Sequence, residues 1–293
     1  MPENTTNRAS VTAFFAVTYI LSWTCWLPLV LLYPPPSATP PGSPSDPSIL
    51  VQQILGNVGP SLAALLMLVL FGKRRDFKAF LARLRPRRAH LGWYGAVLLV
   101  PLGVLLPGLL AYTLLGGRLA ALPWAKVLPA FVFALFISGL GEELGWRGYA
   151  LPRLQANTNP RAAKPLAPSA TLGLLWAGWH LPVFCWASTQ RGVWLVVEFA
   201  LYVLLLTAFS VVFTWVYHAT KGSLWPVVLL HAALTATYNQ ILVALSPGRA
   251  GTWVPYLVSV LSACGAALWC LGRLSARPWL APGVCDTNAA FPV

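Results

Sequence analysis

Val193-Trp-Leu-Val-Val-Glu-Phe-Ala-Leu-Tyr-Val-Leu-Leu-Leu-Thr-Ala-Phe-Ser-Val-Val-Phe-Thr-Trp-Val-Tyr217 runs for 25 residues with a single charge, Glu198. About 20 mostly apolar residues in a helix cross the hydrocarbon core of a bilayer. A helix satisfies every backbone polar group within itself, as that medium requires. The same reading applies elsewhere in the chain. Spans are expected near Val11–Leu32, Ile49–Phe71, Trp93–Leu115, Trp124–Gly141, Leu166–Ala187, Val193–Tyr217, Leu224–Leu245 and Trp253–Leu271. The fold class expected is an all-α membrane protein, a bundle of about eight transmembrane helices. Residues 1–293 are expected to form one transmembrane helical domain.

Composition agrees. Apolar residues make up 57% of the chain and charged residues 9%, where a soluble domain carries about 25% charge. The net charge of +13 is not read as a nucleic-acid footprint, because the positive residues sit in the connections between apolar runs. Lys73–His90 holds eight basic residues against Asp76 alone, which marks that connection as cytoplasmic. Threading eight spans from it leaves both termini cytoplasmic and sixteen of the twenty Lys and Arg on that side. Anionic-lipid binding is a second reading of the same charge run. The Pro- and Ser-rich stretch from Pro34 to Pro47 breaks helix and is expected to be extended. The fourteen tryptophans fall mostly near span ends, where an aromatic belt is expected. The five cysteines show no metal-ligand spacing and are read as apolar packing residues. A retained first helix is expected rather than a cleaved signal peptide.

Two of the seven acidic residues lie together at the end of an apolar run, in Glu142-Glu143-Leu-Gly-Trp-Arg147. Ionisable groups at such depth cost free energy and point to function. Glu143 and Arg147 are four apart, so they share a helix face and can pair. Glu142 lies about 100° around the axis, free to act as a base. A cytoplasmic-end salt bridge without chemistry is the bland alternative. Gly139, Gly141, Gly145 and Gly148 suit close helix approach in lipid. His180 and His231 occupy apolar runs downstream. Pro182 disfavours regular helix at Leu181, Trp176 and Trp179 can wall His180, and Ser223 is a candidate N-cap for the helix of His231. Thr235 lies one turn beyond His231. Glu198, a third acid within a span, has two equal readings, lining a water-filled cavity or sitting at the interface; His90, His218 and Lys221 are assigned no chemistry. There is no HExxH motif, no GxSG and no GxGD.

Glu142-Glu143-x-x-x-Arg147, Trp176-x-x-x-His180 and His231-x-x-x-Thr235 resemble, in order, the motifs of the CPBP family. These are the CAAX-processing and bacteriocin-processing (Abi) intramembrane proteases related to the Rce1 prenyl-protein endopeptidase. The resemblance covers about residues 125–240, the motif-bearing core. It implies an intramembrane endopeptidase with eight helices, in which Glu142 and His180 activate water. Glu143 and Arg147 would position Glu142, and His231 with Thr235 would stabilise the oxyanion. The second motif usually opens with Phe where this chain has Trp176. The third usually ends in Asn where it has Thr235. Metal dependence stays open: zinc would take Glu142, His180 and His231 as ligands. The expected partners are the lipid bilayer and a peptide or membrane-protein substrate, with no nucleic acid. The expected location is a bacterial cytoplasmic membrane. Two other functions stay open on the residues alone, a bacteriocin-immunity or scaffold protein of the same fold and a proton-coupled transporter.

Overall fold

The computed structural model describes residues 2–35, 46–86, 91–119, 124–156, 166–244 and 253–275. Most of the Pro34–Pro47 stretch, the end of the basic connection including His90, and Cys285 lie outside them. The protein is an all-α membrane protein. Its helices are α1 (Pro2–Leu32), α2 (Pro47–Asn57), α3 (Gly59–Phe71), α4 (Arg74–Arg83) and α5 (Leu91–Leu114). A continuous helical rod follows: α6 (Trp124–Ala134), the π-helical turn π1 (Leu135–Leu140), α7 (Gly141–Gly145), a second such turn π2 (Trp146–Ala150), and α8 (Leu151–Ala156). The rest are α9 (Leu166–Trp179), α10 (Leu181–Ala187), α11 (Val193–Ala219), α12 (Trp225–Ala244) and α13 (Trp253–Ser275).

Among the described residues five helices are long and apolar enough to cross a membrane. A sixth span is counted if the bent pair α2–α3 crosses as one. The expectation of eight is not reached by that measure. One of the expected spans falls short for a local reason: the segment Leu166–Ala187 is interrupted at His180. Large side chains such as Leu31, Val69 and Leu114 stand more than three-quarters exposed, a surface suited to lipid rather than water.

Proline explains both breaks. Pro60 has no N–H to give Gly56 four residues back. α2 and α3 meet at 42°, and the Gly56 carbonyl accepts from Ser22 Oγ of α1 at 2.7 Å. Pro182 likewise stands at the start of α10. There Tyr19 and Trp23 of α1 donate to the carbonyls of Leu175 and Trp179 at 2.6 and 2.9 Å. α1 thus satisfies backbone groups at both breaks.

The core is aromatic. Trp26, Trp146, Trp176 and Trp179 are buried, with Trp179 4.5 Å from Trp26 and 5.5 Å from Trp146 between ring centroids. These four depart from the belt expected of tryptophan, because their rings fill space around the acidic motif. The Ser223 cap is corrected as well: α12 begins at Trp225, and the buried Ser223 hydroxyl has no hydrogen-bond partner.

Candidate active site

The acidic motif occupies one α-helical turn between two π-helical ones. Each π turn inserts an extra residue into the helical register, a feature common at functional sites. Small residues let other helices reach this segment. A Cβ at Gly139 would stand 2.8 Å from the Val228 carbonyl oxygen of α12, and one at Gly145 only 2.5 Å from that of Pro60 in α3. Ser61 of α3 donates to the Leu140 carbonyl at 2.7 Å.

Glu143 and Arg147 are both fully buried and pair as their spacing predicts. Arg147 Nη1 lies 2.9 and 3.2 Å from the two Glu143 oxygens. Arg147 Nη2 donates to Ser210 Oγ at 3.2 Å, and Ser210 donates to the Ser169 carbonyl. The guanidinium also lies over the rings of Trp176 and Phe213, at 5.1 and 4.7 Å. Each aromatic face attracts the cation. The ion pair is thereby tied to α9 and α11.

Glu142 is 1% exposed. Its Oε2 accepts from two indoles, Trp176 Nε1 at 2.7 Å and Trp146 Nε1 at 3.2 Å. Its Oε1 faces His231 Nε2 at 3.8 Å, within ion-pair reach but too long for a hydrogen bond. His231 Nδ1 lies 2.8 Å from Glu143 Oε1. A carboxylate only accepts, so Nδ1 carries the hydrogen. His231 therefore joins the two carboxylates.

His180 stands at the break between α9 and α10. Its backbone N–H turns to the Ala177 carbonyl at 3.1 Å. The Trp176 carbonyl accepts instead from His180 Nδ1, at 2.9 Å. That bond fixes the tautomer and leaves Nε2 with a lone pair for a proton. The imidazole is walled by Trp179, Tyr202 and Trp176, at centroid distances of 4.5, 5.7 and 5.9 Å. Trp176 thus contacts Glu142 through its indole and His180 through its carbonyl.

Glu142, Glu143, Arg147 and His231 form one connected cluster, and His180 joins it through Trp176. Thr235 is half-buried, one turn beyond His231, and no hydrogen bond ties it to the cluster. Glu198 lies elsewhere, accepting from Ser188, and His218 pairs with Gln155. The indole donors Trp146 and Trp176 and the arginine partner Ser210 carry roles that spacing did not reveal. The signal for Ser210 was there: with Thr207 and Thr214 it is a small polar residue in an otherwise apolar span.

The donor set does not fit the zinc site the resemblance allows. Of the three ligands zinc would take, Glu142 has Oε2 taken by two indoles and His231 is held through Nδ1 by Glu143. The fixed positive charge of Arg147 lies beside them. Among the described residues no three or more His, Cys, Asp or Glu are grouped to hold a metal ion.

Comparison with known proteins bears on the same segment. Residues 123–237 match the family described as type II CAAX prenyl endopeptidase Rce1-like. A protein of Methanococcus maripaludis named CAAX prenyl protease 2 is 29% identical over 121 residues. That alignment covers 39% of this chain and 41% of that protein's length. The residues matched by the family hold Glu142, Glu143, Arg147, His180, His231 and Thr235, and over them this chain is similar to the Rce1-like endopeptidases.

Proposed function

We propose that this multi-pass membrane protein is an intramembrane endopeptidase that hydrolyses a peptide bond with water activated by Glu142 and His180. The observation that carries the reading is the buried cluster itself. A carboxylate held on one oxygen by two indoles keeps the other oxygen available, beside a second acid, an arginine and a histidine. Burial of so many ionisable groups is a poor route to stability, since apolar packing of the same volume does as well or better. The cluster makes sense as chemistry.

In this reading Glu142 Oε1 and His180 Nε2 are the two proton acceptors for the water, both left without a hydrogen-bond donor by the bonds described above. The water's oxygen attacks the scissile carbonyl carbon while its proton passes to this pair. His231 Nε2–H stabilises the tetrahedral oxyanion. This role needs the imidazolium, because Nδ1 already carries a hydrogen, and the carboxylates at 2.8 and 3.8 Å are the counter-charges for that ion. Thr235 adds a hydroxyl donor in place of the family's usual Asn. Collapse of the intermediate breaks the C–N bond, and the proton held by Glu142 and His180 goes to the leaving amine. Glu143 and Arg147 position Glu142 and His231.

The substrate class is a peptide segment at the membrane surface, such as a membrane-protein tail or a leader peptide. The prenyl-protein substrate in the relative's name is a further candidate. The test is the initial rate of cleavage of a membrane-anchored peptide by the reconstituted chain. Glu142→Ala and His180→Ala should each abolish cleavage while the protein still purifies folded. Full activity in Glu142→Ala would overturn the mechanism. Chelator-sensitive activity that zinc restores would replace it with a metal-dependent one.

A further inference from the structure

We infer that α4 is an interfacial helix that binds anionic lipid headgroups and, when bound, steadies the π turn carrying Arg147. Around the axis of α4, at 100° per residue, three sectors follow one another. Phe80 faces the protein and is 2% exposed. Phe77 and Leu81 come next, 44% and 45% exposed. Arg74 and Lys78, both exposed, come after them. A helix lying in the headgroup layer against a protein needs that order: protein contact, acyl-chain contact, phosphate contact.

Two observations point to a bilayer as the occupant of the outward faces. Val69, Leu70 and Phe71 end α3 at 76%, 59% and 55% exposure. Only Gly72 and Lys73 separate them from α4, so the lipid-facing surface continues onto Phe77 and Leu81. The charge is also one-sided. Asp76, the sole acid in α4, accepts from the Lys73 backbone N–H at 2.8 Å and caps the helix. A topological preference for basic connections accounts for the charges but not for two large apolar side chains set beside them.

The inner face of α4 is fastened to the candidate site. Arg83 Nη1 donates to the Gly148 carbonyl at 2.7 Å. The Phe80 ring fills the space beside Gly148, where an added Cβ would lie 2.9 Å from it. Leu224 N–H donates to the Arg83 carbonyl at 3.0 Å and Trp225 Nε1 to that of Leu84 at 2.6 Å. α4 thus clamps π2, next to Arg147, to the start of the helix that carries His231.

The test uses the full chain in vesicles of phosphatidylcholine alone and of equal parts phosphatidylcholine and phosphatidylglycerol. Amide hydrogen exchange is read across residues 74–83. Exchange should slow in the anionic vesicles by about fivefold for each charge engaged. The slowing should vanish in the Arg74→Gln/Lys78→Gln double variant and shrink in Phe77→Ser/Leu81→Ser. Inorganic phosphate added to the neutral vesicles should not reproduce it. Equal exchange in both vesicles, an undiminished effect in the double variant, or full reproduction by phosphate would each overturn the inference. Peptide cleavage should rise in parallel in anionic vesicles. That arm alone rests on the protease reading, so loss of cleavage with intact exchange behaviour would count against the protease and not against lipid binding.

Discussion

Trp176 touches both residues proposed to act on the water, through its indole on Glu142 and its carbonyl on His180. The sequence presents it as an aromatic swap for Phe and as a wall for His180, but a spacing pattern does not say where an indole N–H points. Trp176→Phe keeps a ring and removes that donor. A hydrogen bond to a charged group is worth about 1.5–3 kcal/mol, so kcat should fall by tenfold or more, with KM little changed. Steady-state kinetics on the membrane peptide checks this, and an unchanged kcat would leave Trp176 as packing only. Glu143→Ala acts differently, leaving Arg147 buried without its carboxylate. Breaking a buried pair costs about 3–5 kcal/mol, so the yield of folded protein should drop along with activity. Thr235→Val should slow cleavage by less than loss of an oxyanion donor commonly does, about 10²–10³, because His231 remains. Thr235→Asn should preserve or raise the rate. The Glu143–Arg147 pair was readable from a spacing of four. The bond of His231 to Glu143 was not, since 88 residues separate them.

At the scale of elements, close approach to the rod of α6 to α8 depends on glycine. A Cβ at Gly145 would lie 2.5 Å from a backbone oxygen of α3, which has no side-chain freedom to move aside. Gly145→Ala should therefore cost about 1–3 kcal/mol, as overpacking typically does. Gly265 in α13 meets nothing within 4 Å, so Gly265→Ala should leave stability unchanged or slightly higher. Thermal unfolding in one detergent separates the two, and equal midpoints would refute the close-packing account of Gly145. The sequence announced the glycine cluster and the break beside Pro182, because both follow from local chemistry. It did not announce the π turns. An extra residue in a helical turn leaves no mark on apolar periodicity, and only the tertiary partners of Glu142 and Arg147 show where the register shifts. The continuation of the rod to Ala156 escaped for a related reason, since charge and glycine after Gly141 read as the end of a span.

For the whole molecule, contacts between helix ends bear on how often the chain crosses the membrane. Near the α4 side, Arg83 meets Gly148, Leu224 meets Arg83, Gln155 meets His218, and Trp215 meets both Trp93 and Trp269. A second set joins Trp186 to Pro34, Trp194 to Trp253, and Tyr256 to Glu198. No residue in the second set is a neighbour in sequence of one in the first. α11 has Trp194 in the second set and Trp215 in the first, and α13 has Trp253 and Trp269 likewise. α9–α10 runs from Ser169, bonded to the middle of α11 at Ser210, to Trp186 in the second set. Its ends therefore reach the two sets, and we expect it to cross despite its break, while α12 leaves the α4 side from Trp225. We therefore predict eight crossings, with both termini, the α4 connection and the α11–α12 turn on one side, the cytoplasmic one by the charge of Lys73–His90. Terminal tags should be cut by external protease in inside-out vesicles and protected in right-side-out ones. A tag between α10 and α11, near Gln190, should show the reverse. Opposite sidedness of the two termini would exclude any even count. If α9–α10 instead enters and returns, seven crossings remain: the termini part to opposite sides, Gln190 stays on the N-terminal side, and His180 leaves a crossing segment, which removes the basis for eight spans.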